Sequence, residues 1–130
     1  MNLSKSLEEL ENEIWSKPDF DSNLAKECHR LWSVPISELS IENLRMLIGQ
    51  KIGLEFLVPV ALDLLAENPL AEGGMYKGDL LANIAAISDG FWQAHAELNN
   101  QVVEIKKDLD IIMGTITEEL VPSLSSRVYL

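Results

Sequence analysis

The stretch Ile41–Leu81, IENLRMLIGQKIGLEFLVPVALDLLAENPLAEGGMYKGDLL, decides the fold. Ser40 precedes it as a helix N-cap, and Glu42 falls in the first turn, where the helix dipole favours an acid. Ile41, Leu44, Leu47 and Ile48 recur at helical spacing and define one buried side. Gly49 and Gly53 bracket the end of this helix and the start of the next. Pro59 suits a first helical turn. Val60–Glu67 is apolar except for Asp63 and Glu67, and a helix apolar almost all round belongs at the centre of a bundle. Asn68-Pro69 ends it. Glu72-Gly73-Gly74 is a loop, and Asp79 is the expected cap of a further helix carrying Leu80, Leu81, Ile84 and Ile87.

Outward from this centre the helical period continues. Towards the N-terminus, Leu3, Leu7, Leu10 and Ile14 form one stripe, opened by a Ser6–Glu9 capping box or by Ser4 and stopped by Pro18. Asp21 or Ser22 caps a helix with Leu24, Cys28, Leu31 and Trp32 on one side, and Pro35 closes it. Towards the C-terminus, Ser88-Asp89-Gly90 breaks the pattern before a short turn holding Phe91 and Trp92. A last long helix carries Leu98, Val102, Ile105, Leu109 and Ile112 in a heptad-like run. Gly114 ends it, or it runs on to Ile116. No alternating strand and no internal repeat is visible. The expectation is an all-α, compact single domain of about six or seven helices over residues 1–122, with 123–130 as a frayed tail.

Composition narrows the function classes. With 130 residues and 47% hydrophobic content the chain can bury one core without staples. Twenty-one acids against ten bases give a formal charge of −11. That balance opposes nucleic acid and anionic membranes and favours a basic protein partner. The single cysteine, Cys28, excludes an intrachain disulfide. The acidic N-terminus lacks the pattern of a signal peptide, and the run Phe56–Leu62 is too short to span a bilayer. A cytoplasmic protein is expected.

The chemistry-bearing patterns fail one by one. Asp19-Phe20-Asp21-Ser22-Asn23 opens like an EF-hand loop, but Leu24 and Arg30 stand where glycine and glutamate are required. Cys28, His29 and His95 are too few for a zinc site. Gly73–Gly78 lacks the phosphate-loop lysine and threonine pattern. No nucleophile elbow or HExxH appears. No cofactor and no metal are expected, and no catalytic residue can be assigned. Two surface features remain. One is the acidic run Glu8, Glu9, Glu11, Glu13, Asp19 and Asp21, opposed only by Lys17. The other is the loop with Glu72, Met75 and Tyr76, exposed residue types suited to a partner.

The stretches LRMLIGQ, GLEFLVP and AENPLAEG give the chain its most specific wording. With Trp15, Pro18, Phe20-Asp21-Ser22, Cys28-His29-Arg30-Leu31 and Pro35 upstream, and as far as about Trp92 downstream, it resembles the α-helical immunity proteins of bacterial contact-dependent growth inhibition systems. The resemblance implies a non-enzymatic inhibitor that binds a cognate toxin C-terminal domain, often a nuclease, in the cytosol and blocks its active site or substrate path. The motifs mark scaffold and not interface. Charge and exposure therefore supply the expected toxin contacts: Glu8, Glu9, Glu13, Asp19, Asp21, Glu72, Met75 and Tyr76. Competing classes are a small helical enzyme using a carboxylate pair and an acidic helical adaptor for another basic protein.

Overall fold

The computed structural model describes residues 2–16 and 22–130. Among these residues eight α-helical segments follow one another: α1 (Leu7–Glu11), α2 (Asn23–Trp32), α3 (Ile41–Gly49), α4 (Leu54–Glu67), α5 (Asp79–Ala85), α6 (Asp89–Ala94), α7 (Ala96–Thr115) and α8 (Val121–Leu124). A 3-10 turn spans Ile36–Glu38. A π-helical turn, Ile116–Leu120, joins α7 to α8 in one rod, so the eight segments make seven helical bodies. No strand occurs among the described residues, and the all-α expectation holds.

Helix α4 is the hub. Leu57, Val58, Ala61, Leu62 and Leu65 are buried on it, and it packs against α3, α5 and α7. Leu44, Leu47 and Ile48 of α3 and Leu80 and Ile84 of α5 complete the centre. Leu31 and Trp32 of α2 close one side, and Ile105 of α7 closes another.

Several starts and stops fall where the residues place them. Ser6 and Glu9 form the capping box of α1, Ser22 accepts from the Ala25 N–H at 3.3 Å, and Ser40 and Asn43 cap α3 reciprocally. Four expectations need correction. Helix α1 ends at Glu11, well before Pro18, because Asn12 takes a left-handed conformation (φ 52°) and returns its N–H to the Glu8 carbonyl. Its stripe is therefore short: Leu7 is buried, whereas Leu3 and Ile14 are exposed. Pro59 lies inside α4 and not in its first turn, since Gly53 (φ 62°) starts the helix five residues earlier than the apolar run implied. The N-cap of α5 is Gly78, so Asp79 is already helical and its carboxylate is directed elsewhere.

Gly114 does not end α7. It runs through to Thr115 with Ile116 as its C-cap, as the alternative expectation had it, and Thr117 Oγ1 in the π turn beyond donates to the Met113 carbonyl at 2.9 Å. Pro122 then lacks the N–H for an α-helical bond, and the preceding turn widens into π geometry.

Candidate functional site

Between α4 and α5 the chain makes a loop whose backbone is held by one carboxylate. Asp79 is 2% exposed. Its Oδ1 accepts the Gly73 N–H at 2.6 Å, and its Oδ2 accepts those of Met75 at 2.9 Å and Tyr76 at 3.3 Å. Burial pushes its pKa up, but hydrogen bonds from the N–H groups of Gly73, Met75, Tyr76 and Leu80 outweigh that and hold it below the ordinary aspartate value. Arg45 of α3 completes the clamp. Its Nε donates to the Gly73 carbonyl at 2.6 Å and lies 3.7 Å from Asp79 Oδ2. The backbones of Glu72 and Lys77 form an isolated antiparallel β-bridge across the loop base.

The loop lies flat on α3 because it carries glycine where it touches. A Cβ on Gly73 would stand 2.9 Å from Arg45 Cβ and 3.1 Å from the Ile41 carbonyl oxygen. Gly74 adopts φ 102° beside the Glu42 side chain. With the backbone fixed below, Met75 and Tyr76 point outward, 68% and 55% exposed. Asn23, Leu24, Glu27, Glu42, Asn43 and Met46 line an open groove of about 480 Å³ between α2 and α3.

The acidic run is arranged differently. Glu13 is exposed and Glu8 half-buried. Glu9 is occupied, since its Oε1 accepts from the Ser6 N–H and hydroxyl at 3.2 and 3.3 Å. Asp19 and Asp21 lie outside the described residues. Glu11 has its pKa raised by desolvation first, then by Glu13 and by Glu55 of α4. The fold thus adds to the run an acid that is distant in sequence.

A family model described as CDI immunity proteins matches residues 9–102. The chain belongs to this family. The match begins before Trp15 and runs past Trp92, the limits between which the resemblance is legible. Comparison with curated proteins and with solved structures gives no match. As a CDI immunity protein the chain acts against a CDI toxin, and a cognate toxin is its partner.

In this immunity protein the expected contacts that are described lie in two places, as the two surface features of the sequence do. Glu72, Met75 and Tyr76 share the clamped loop against the N-terminal half of α3. Glu8, Glu9 and Glu13 lie on or just beyond α1, where Glu11, which was not among the expected contacts, is joined by Glu55 from the start of α4. Sequence reasoning missed Arg45 and the clamping role of Asp79. An aspartate directly after Gly-x-x-x-Gly was the available signal for the second; nothing local marks the first. Among the described residues no group of three or more His, Cys, Asp or Glu is placed to hold a metal ion, and no helix is long and apolar enough to cross a membrane. Cys28 is buried with its thiol pKa raised by desolvation and by Glu27, which makes it an inert core residue.

Proposed function

We propose that this immunity protein neutralises a basic nuclease toxin in the cytosol by lying across its substrate path. Met75 and Tyr76 serve as anchors, and the acids around Glu11, Glu13 and Glu55 guide encounter. The observation that carries this reading is the clamped loop. Two large apolar side chains stand in solvent on a backbone fixed by a buried carboxylate, so little ordering entropy is lost when they enter a partner's pocket. The charge of −11 complements the positive surface that any nuclease presents to its substrate.

The test is binding and rescue with the cognate toxin. The wild-type chain protects cells on coexpression and forms a stable complex by gel filtration. Tyr76→Ala and Met75→Ala each weaken the complex, by roughly tenfold or more if they are central anchors, without loss of helix. Affinity unchanged in both variants removes the loop from the interface. A toxin with no nuclease activity removes the proposed target chemistry.

A further inference from the structure

We infer that the open cavity between the segment after α1 and helix α2 receives one arginine side chain of the cognate toxin. The inference rests on the toxin-binding reading above and adds a second contact to it, away from the clamped loop. The cavity has a volume of about 540 Å³. Ile14, Leu24, Ala25 and Ile52 give it apolar walls, and Trp15 adds an aromatic one. That wall is held in place from α2. Trp32 is 2% exposed and stacks on Trp15, with ring centroids 4.1 Å apart and planes inclined by 12°. Its Nε1 donates to the Glu13 carbonyl at 2.7 Å, and His29 Nε2 donates to the Trp15 carbonyl at 3.4 Å. Between these two pinned carbonyls Ile14 stands 84% exposed. A wall already fixed in this way loses little further freedom when a partner enters.

The chemistry of the wall selects the occupant. Glu13 is the one carboxylate among the described lining residues, and no lysine or arginine is among them. Lys26 and Lys51, each next in sequence to lining residues, are not part of the wall. Among the described residues the Glu13 side chain has no ion pair. Glu11 lies close enough to feel both Glu13 and Glu55, so the surroundings are acidic. An apolar occupant would strip water from the Glu13 carboxylate and return nothing for it. A cation compensates that charge, and a long stem covers the apolar walls. Guanidinium is planar, stacks on an indole and grips a carboxylate through two N–H groups, whereas an ammonium is compact and strongly hydrated. The toxin is the source because contiguous residues join the cavity to the loop. Leu24 lines both this cavity and the groove between α2 and α3, and Glu42 of that groove lies against Gly74.

Binding kinetics of the full chain with the cognate toxin domain test this. Glu13→Gln should raise the dissociation rate roughly tenfold or more at low and high salt alike, because a desolvated pair governs dissociation and is little screened. Glu11→Gln and Glu55→Gln should each leave the dissociation rate within about twofold of wild type. Ala25→Phe, which fills the cavity, should weaken binding by about tenfold or more, with far-UV circular dichroism confirming that the helices persist. Each arginine and lysine of the toxin domain is then changed to alanine and measured against both wild type and Glu13→Gln. One arginine should couple to Glu13, its loss costing about fivefold or more less affinity in the Glu13→Gln background. An unaltered dissociation rate in Glu13→Gln overturns the proposal, as does coupling confined to a lysine or to no basic residue. Tyr76→Ala measured in parallel separates this site from the loop. Affinity lost there but retained in the Glu13 and Ala25 variants removes the cavity alone, and the reverse pattern removes the loop alone. A wild-type chain that binds no toxin removes both.

Discussion

At the scale of single residues, Asp79 illustrates how one buried charge organises a loop. Its two oxygens take three backbone N–H groups between Gly73 and Tyr76, and Arg45 sits beside them. Removing the carboxylate leaves those donors buried or half-buried without an acceptor. Asp79→Ala should therefore cost about 3 kcal/mol of stability at neutral pH, measured by denaturant unfolding. The pH dependence follows from the lowered pKa. An aspartate held below its unfolded value of about 3.9 contributes stability that is complete above that value and is lost as pH falls through the folded pKa. The gap between wild type and Asp79→Ala should be constant near neutrality and narrow below about pH 4. A gap independent of pH down to acid unfolding would mean that the carboxylate's charge does not hold the loop.

At the scale of elements, the five-residue α1 depends on its docking site. Its buried Leu7 rests on Gly53, the left-handed residue that opens α4. A Cβ at Gly53 would lie 2.6 and 2.8 Å from the two Leu7 methyl carbons. Gly53→Ala should thus destabilise the protein twice over, through its φ of 62° and through this overlap, by about 2–4 kcal/mol in thermal or denaturant melts. Gly114→Ala is the contrast. Nothing lies within 4 Å of its added Cβ, and it sits in a helical interior, so a gain of about 0.5–1 kcal/mol is expected. Neither outcome is legible from glycine as a residue type; the neighbours decide the sign.

At the scale of the whole molecule, the excess of acid is concentrated by the fold. Desolvation first, and then the nearby Glu13 and Glu55, raise the pKa of Glu11. Replacing all three by glutamine should slow association with the cognate toxin, by about three- to tenfold at low ionic strength. The difference from wild type should fade as salt is raised, because screening shortens the reach of these charges. Stopped-flow binding measures both. Equal association rates at low salt would leave these acids as a solvated face.

Much of the helical plan is legible in residue order. Ser6, Ser22 and Ser40 declare their caps, Leu44, Leu47 and Ile48 declare a buried side, and the run around Ala61–Leu65 declares the hub. These signals are local, because a cap or an apolar period is complete within one or two turns. The loop with Met75 and Tyr76 is likewise visible as a loop. What depends on three dimensions is of another kind. That Arg45 reaches Gly73, that Glu55 joins Glu11, and that Leu7 selects Gly53 are contacts between positions 28 to 46 residues apart. No local period encodes them. The early end of α1 and the long run of α7 were also decided there: half of one stripe found no surface to cover, and the rod continued past its glycine into solvent. Sequence alone determined the class of fold and the family; tertiary packing decided which carboxylates became structure and which remained surface, because burial and pairing are properties of the assembled neighbourhood and not of the residue.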